Sequence, residues 1–125
     1  MRAAYDFGAD AVYAGSPRYS LRARNNEFAK LDVLEQGIKE AHERNKKFFL
    51  TVNTVPHNSK LKTVVADMEP LIAMKPDALI MADPGLIMTV REKWPDMPIH
   101  LSVQANTTNY WGVKFWEKIG VERIM

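Results

Sequence analysis

The sequence predicts an α/β fold in which about five parallel strands alternate with helices, as part of a TIM-type (β/α) barrel. Short apolar runs alternate with amphipathic helical patterns, and such strands pair in parallel through right-handed crossovers. Each run begins at a helix-stop signal, and most finish on polar residues. The five runs are residues 10–15, 47–53, 77–83, 98–104 and 121–125.

The fourth run favours a barrel over a flavodoxin-like open sheet. Its residues alternate between an apolar face and a polar face, in the sets Ile99, Leu101, Val103 and His100, Ser102, Gln104. A central strand of an open doubly wound sheet is covered by helices on both faces and should be apolar on both. A polar file fits a barrel interior near its mouth, and Thr51 and Asn53 repeat this pattern in the second run.

The segments before and after the first run are predicted to be helices and a loop. Residues 1–7 predict the end of a helix, and Gly8 follows it as a residue free to take positive φ. Residues 16–30 show no clean period and predict a long loop. Apolar residues recur at helical spacing over 31–44, which predicts the second helix.

The later helices carry recognisable start and stop signals. Ser59 is expected to cap the third helix, and Pro70 should kink it or end its regular part. Asp83 as N-cap, followed by Pro84 at the first helical position, predicts the fourth helix. The fifth is expected to start at a cap on Asn109 and to close at Gly120.

Composition excludes several classes of protein. The chain has 125 residues, a net charge of +2 and no cysteine. A disulfide framework and a cysteine-ligated metal or iron–sulfur site are therefore excluded within these residues. The small net charge does not require a nucleic-acid partner. Evidence for such a partner must therefore come from local clusters of positively charged residues. With no signal peptide and no apolar run near the ~20 residues that span a bilayer, the expected location is cytoplasmic.

Polar clusters follow the first two runs. Arg18, Arg22 and Arg24 suit an anion, because guanidinium groups pair bidentately with carboxylate or phosphate. The alternative is a solvated loop whose arginines pair with surface acids. Asn53 and His57 follow the second run, and His57 can act in acid–base chemistry, bind a phosphate or simply be exposed.

Two further candidates follow the third and fourth runs. Asp83 can hold a substrate hydroxyl or a metal, although the N-cap gives it a structural role. His100, Ser102 and Gln104 on one inner face, with Asn106 beyond, are costly to bury without partners and indicate substrate contacts. A nucleophilic serine needs a base within reach; His100 is adjacent, but no strained Gly-x-Ser-x-Gly elbow surrounds Ser102.

Two sets of residues are expected to be structural. Acidic residues sit at strand starts, which is the stability face of a barrel; they are Asp10, Asp77 and Glu122. Tryptophans in or beside helical stripes are expected in the core rather than as stacking platforms; they are Trp94, Trp111 and Trp116.

Four motifs in order resemble one known family. They are Phe7-Gly-Ala-Asp-Ala-Val-Tyr-Ala-Gly15, Arg22-Ala-Arg-Asn-Asn-Glu-Phe28, Asp83-Pro-Gly85 and His100-Leu-Ser-Val-Gln-Ala-Asn106. Over essentially the whole chain they resemble the collagenase-like peptidases of unassigned mechanism, number thirty-two in the peptidase classification. The nearest branch is similar in the same motifs and carries out prephenate-dependent tRNA hydroxylation at the wobble uridine.

The resemblance implies a barrel catalytic domain and an oxygen-independent 5-hydroxylation of uridine in tRNA. Relatives act on ribosomal RNA or on ubiquinone precursors. It also implies prephenate and an iron–sulfur cluster held by cysteines downstream of the matched region. In this frame residues 1–125 form a single incomplete barrel domain, from the second through the sixth strand, without the first strand and the C-terminal units.

Within this frame the candidate residues receive roles. One carboxylate of prephenate is assigned to Arg18, Arg22 and Arg24, and the positive charge for a tRNA backbone is assigned to His57, Lys60 and Lys62. The pocket floor is assigned to Asn53, His100, Ser102 and Gln104. Two alternatives stay open: a peptidase, and a non-catalytic truncated fragment that associates with another copy through open sheet edges at 10–15 and 121–125.

Overall fold

A computed structural model describes residues 1–20 and 30–125 of the chain. The strands are β1 (Ala11–Gly15), β2 (Lys47–Val52), β3 (Ala78–Met81), β4 (Ile99–Leu101) and β5 (Arg123–Ile124). The helices are α1 (Arg2–Asp6), α2 (Leu31–Glu43), α3 (Asn58–Ala73), α4 (Pro84–Lys93) and α5 (Tyr110–Ile119), and a 3-10 turn covers Val103–Ala105. The predicted alternation of helices with five strands is therefore confirmed.

The strands form one parallel sheet in the order β1-β2-β3-β4-β5, so each new strand is added on the same side of the last. Right-handed crossovers in an unreversed order place every helix on the same face of the sheet. A flavodoxin-like sheet reverses its order and carries helices on both faces. The observed order is that of a (β/α) barrel wall.

Packing of the two faces agrees with this order. One face packs on all five helices and forms the main core; its strand residues are Phe48, Leu50, Val52, Leu79, Met81, Ile99 and Leu101. The opposite face carries a smaller cluster, Phe49, Ala78 and Ile80, in which no helix residue takes part. We call this the inner face, and by register it also carries Thr51, His100 and Arg123.

Most of the predicted helix signals are confirmed. Asp83 Oδ2 accepts a hydrogen bond from Leu86 N at 2.7 Å, and Asn109 Oδ1 accepts one from Gly112 N at 3.0 Å. Each bond satisfies a backbone N–H that has no partner within its helix. Gly120 closes α5 in the left-handed region with φ of 92°.

The predicted cap of α3 is wrong. The helix begins at Asn58 with His57 at the N-cap position, so Ser59 lies inside the first turn and does not cap it. Of the two effects predicted for Pro70, a kink or an end, the end does not occur, because the helix continues to Ala73. Burial of the neighbouring Leu71 side chain against the core holds this last turn in place despite the missing proline N–H.

The fourth strand is shorter than the predicted run 98–104, so the polar file does not extend to Gln104. The Ser102 hydroxyl accepts from Gln104 N at 3.4 Å, and the chain turns into the 3-10 segment. Val103 is consequently 69% exposed instead of following Leu101 into the core. Asn106 ends the turn in the left-handed conformation, at φ 52°.

The expectation for the tryptophans holds for Trp116, which is buried, and is wrong for Trp111, which is 72% exposed. Residues five apart on a helix lie about 140° apart around its axis. When Trp116 faces the sheet, Trp111 must therefore turn away from it. Trp94 is half-buried beside the core.

Asp77 has the structural role expected at a strand start. Its Oδ2 accepts a hydrogen bond from Phe48 N at 2.7 Å and lies 3.0 Å from His42 Nε2. The carboxylate thereby ties α2 and β2 to the segment that leads into β3. Within residues 1–20 and 30–125, no helix has the length and apolar character needed to cross a bilayer.

Candidate functional site

A cavity of 610 Å³ lies where the segments after β1 and β2 meet α3. Pockets of a few hundred cubic ångströms are the size class that holds small molecules or parts of larger ligands. Its lining residues are Arg18, Tyr19, Thr54, Val55, Pro56, His57, Lys60, Thr63 and Asp67. We call it the α3 cavity. It brings together three residues that the sequence singled out, Arg18, His57 and Lys60.

Tyr19 organises the wall of the α3 cavity. Its backbone N donates to Ser16 Oγ at 3.2 Å, and its carbonyl accepts from Thr54 N at 3.2 Å and from Thr54 Oγ1 at 3.1 Å. Its phenolic O–H donates to Asp67 Oδ2 at 2.6 Å. Burial and then this bond to Asp67 raise the pKa of Tyr19, so the phenol remains a donor at neutral pH.

Charge in the α3 cavity is divided between two ends. Arg18 Nη1 lies 3.5 Å from Asp67 Oδ2, so one carboxylate already faces this guanidinium. Lys60 and His57 line the other end. Within the part of the chain that the structure describes, neither of these two side chains is in an ion pair, so their N–H groups are available to an anion.

The inner face of the sheet buries polar atoms that have no partner. His100 is 6% exposed and Thr51 is 5% exposed, and both flank Ile80 in the strand register. Within residues 1–20 and 30–125, neither His100 Nδ1 nor Thr51 Oγ1 has a hydrogen-bond partner. The His100 ring instead meets the Phe49 ring edge-on, with centroids 4.8 Å apart.

Burial, followed by the positive charge of Arg123, lowers the pKa of His100. Lys47 acts in the same direction, and Glu122 opposes both. His100 is therefore a neutral imidazole at pH 7, and one ring nitrogen is free to accept a proton or a hydrogen bond.

The remaining candidates are dispersed. Among the described residues no hydrogen bond joins Ser102 to His100, so a nucleophile and its base are not assembled. One carboxylate oxygen of Asp83 accepts the hydrogen bond that caps α4. Gln104 and Asn106 are exposed on the turn after β4, away from the α3 cavity. Arg22 and Arg24 lie outside the described residues.

Sequence reasoning missed Asp67 and the role of Tyr19. A signal for Asp67 was present, because Lys60, Thr63 and Asp67 recur at i, i+3 and i+7 and so share one face of α3. The helix was predicted from its apolar stripe, and the polar stripe on its other face was not considered. Nothing local could have joined Tyr19 to a carboxylate 48 residues away.

The described residues offer little for metal binding. Across residues 1–20 and 30–125, no group of three or more His, Cys, Asp or Glu side chains is arranged to hold a metal ion. The sequence contains no cysteine. An iron–sulfur cluster of the kind that the motif resemblance implies therefore has no thiolate ligand here.

Comparison with known proteins gives the family. The model of Peptidase family U32 matches residues 1–125, the whole chain. This chain belongs to peptidase family U32. The U32 resemblance read from the four motifs is thus confirmed.

Two relatives that are similar over the whole chain are both named "tRNA hydroxylation protein P". The chain is 61% identical over 125 residues to the one from Escherichia coli (strain K12), a match that covers 100% of this chain and 27% of that protein. It is 62% identical over 125 residues to the one from Haemophilus influenzae, with coverages of 100% and 27%.

A less similar relative is named for a different RNA. It is the "23S rRNA 5-hydroxycytidine C2501 synthase" of Escherichia coli (strain K12), 31% identical over 118 residues, which are 94% of this chain and 17% of that protein. The chain spans about a quarter of the length of the two relatives named for tRNA hydroxylation.

Proposed function

We propose that this chain is part of a tRNA-modifying enzyme for the prephenate-dependent 5-hydroxylation of wobble uridine. The observation that carries the proposal is the match of all 125 residues, at 61% identity, to a protein named for tRNA hydroxylation. A cationic cavity at the carboxyl edge of the sheet supports it, since active sites of such barrels lie at this edge. A tRNA substrate places the enzyme in the cytoplasm.

The described residues have binding roles in this proposal. His57 and Lys60, together with Lys62, contact phosphates of the tRNA backbone, because cationic side chains supply most of the affinity for nucleic acids. Arg18 binds a carboxylate of prephenate with the help of Arg22 and Arg24. Because the net charge of the chain is only +2, binding of these anions depends on such local clusters of positively charged side chains.

His100 is our candidate acid–base residue, because its imidazole is neutral at pH 7 and, among the described residues, its Nδ1 has no hydrogen-bond partner. Ser102 and Asn53 contact the substrate, with Gln104 and Asn106 nearby. The implied iron–sulfur cluster has no cysteine ligand in this chain, so no step is assigned to it.

The test is the mass of tRNA nucleosides from cells that carry the gene, its deletion or single variants. Deletion should remove one oxygen from the wobble uridine, and Arg22→Ala or Arg24→Ala should reduce that product strongly. Glu69→Ala is the matched control, since Glu69 pairs with Lys93 outside the α3 cavity. Unchanged hydroxylation after deletion would refute the proposal, and unchanged hydroxylation in Arg22→Ala would remove that arginine from the site.

A peptidase is the second candidate, favoured by the name of the family. It predicts that the purified full-length protein cleaves gelatin or peptides and that Ser102→Ala or His100→Ala abolishes this cleavage. The missing hydrogen bond between these two side chains weighs against it. Cleavage that survives both substitutions would exclude the proposed nucleophile and base.

Self-association is the third candidate. Among the described strands, β5 pairs with β4 alone, so its outer edge is open to a further strand. A non-catalytic fragment would bury this edge against a second copy. Sedimentation should then show a dimer at micromolar concentration, and a monomer at that concentration would contradict the idea.

A further inference from the structure

The α3 cavity has a feature that anion binding leaves unexplained, namely a carboxylate on its wall. Asp67 stands on the same face of α3 as Lys60 and Thr63, at spacings i, i+3 and i+7. At 1.5 Å per residue, this face runs about 10 Å from cation to carboxylate. A site for a simple anion would gain nothing from an acid at its far end.

Asp67 is held in a defined position. Its Oδ2 accepts from the Tyr19 phenol at 2.6 Å and faces Arg18 Nη1 at 3.5 Å. Tyr19 is itself anchored by Thr54, whose N–H and hydroxyl both donate to the Tyr19 carbonyl. Among the described residues, both contacts to the carboxylate use Oδ2, which leaves Oδ1 as an acceptor for a ligand hydroxyl.

We infer that the α3 cavity binds one ribose-phosphate unit of an RNA strand, with the phosphate at His57 and Lys60 and the ribose 2′-hydroxyl at Asp67. This inference rests on the proposed function. It adds a contact by which the enzyme would distinguish RNA from DNA. The 2′-hydroxyl is the group that distinguishes the two polymers, and a carboxylate is a strong acceptor for it. A cavity of 610 Å³ has room for such a unit.

The test compares two probes that differ in the 2′-hydroxyl. A fluorescein-labelled oligouridylate of about 12 nucleotides and the matching oligodeoxyuridylate are titrated with the purified chain, and the affinity is read by anisotropy. We expect the RNA probe to bind about tenfold more tightly, the effect of one hydrogen bond to a charged acceptor. Equal affinities for the two probes, or no binding of either, would overturn the inference.

Asp67→Ala should bring the ratio of the two affinities close to one. Glu69→Ala removes the same charge from the same helix, but Glu69 pairs with Lys93 instead of lining the cavity, so the ratio should stay near ten. The ratio separates the proposed contact from general electrostatics, which change both affinities alike. An RNA preference that persists in Asp67→Ala would overturn the inference even if tRNA hydroxylation in cells is confirmed.

The phosphate end has its own pair of variants. Lys60→Ala should weaken both probes by a similar factor, whereas Lys62→Ala, which alters a lysine outside the cavity lining, should weaken them less. Uridine 5′-monophosphate serves as a competitor. If it displaces the RNA probe at the same nucleotide concentration, the cavity holds a free nucleotide, and the assignment to an RNA strand is overturned.

Discussion

The α3 cavity and the inner face of the sheet treat buried polar groups in opposite ways. In the cavity, Tyr19 donates or accepts at its N–H, carbonyl and hydroxyl. On the inner face, Thr51 Oγ1 and His100 Nδ1 are buried without partners. A satisfied network gives stability and a defined shape, while an unsatisfied group costs free energy and persists where function or a further contact requires it. The polar groups of the cavity wall are therefore already held in place by hydrogen bonds, whereas the polar groups of the inner face could still gain a hydrogen-bond partner.

The largest effect should come from removing the centre of the cavity wall. Tyr19→Ala loses the packing of a side chain that is 9% exposed and should lower the free energy of unfolding by about 3–5 kcal/mol. Tyr19→Phe keeps the ring and loses the hydroxyl's bond to Asp67, so about 1–2 kcal/mol is expected. Urea unfolding measures both. Equal losses in the two variants would show that the ring contributes little.

A pair of threonines tests the contrast directly. Thr54→Val removes a hydroxyl that donates to the Tyr19 carbonyl and should destabilise by about 1 kcal/mol. Thr51→Val replaces a buried hydroxyl without a partner by a methyl group and should be neutral or stabilising by about 1 kcal/mol. The two substitutions are chemically identical. If they change the free energy of unfolding in the same direction, the two regions do not differ as described.

The acid dependence of stability should report on His100. Its pKa is lowered in the folded state, so between that value and about 6.5 the unfolded chain binds more protons. The free energy of unfolding is therefore fully retained above about pH 6.5 and falls as the pH is lowered through this window. His100→Leu should flatten this dependence in urea titrations between about pH 7 and 5. The same slope in the variant would show that groups other than His100 cause it.

The smallest effect on stability is expected for Arg18. Its guanidinium is largely exposed and sits 3.5 Å from Asp67, and such surface pairs contribute about 0–1 kcal/mol. Arg18→Ala should thus unfold almost like the wild type and yet bind anionic ligands more weakly. Lys93→Ala, which breaks the exposed pair with Glu69, is the control for stability and should leave ligand affinity unchanged. A large loss of stability in Arg18→Ala would show that this residue is part of the wall's structure.

Much of the fold could be read from local sequence patterns. The alternation of apolar runs with helical stripes predicts the five strands, and Asp83-Pro84 and Asn109 predict two helix starts, because caps depend on residues close in sequence. The four motifs predict family U32. The polar file of the fourth run was predicted to reach Gln104, but it stops at Ser102, because the Ser102 hydroxyl accepts a hydrogen bond from Gln104 N and the chain turns there.

By itself, the sequence determined the order of the elements, their caps and the face on which Thr51 and His100 lie, since period and parity are local properties of a chain. Tertiary structure alone decided that Tyr19 meets Asp67 and that Trp111 turns outward when Trp116 packs on the sheet. These outcomes depend on how distant segments pack against each other. That packing is set by the sum of many weak contacts, which no single stretch of sequence displays.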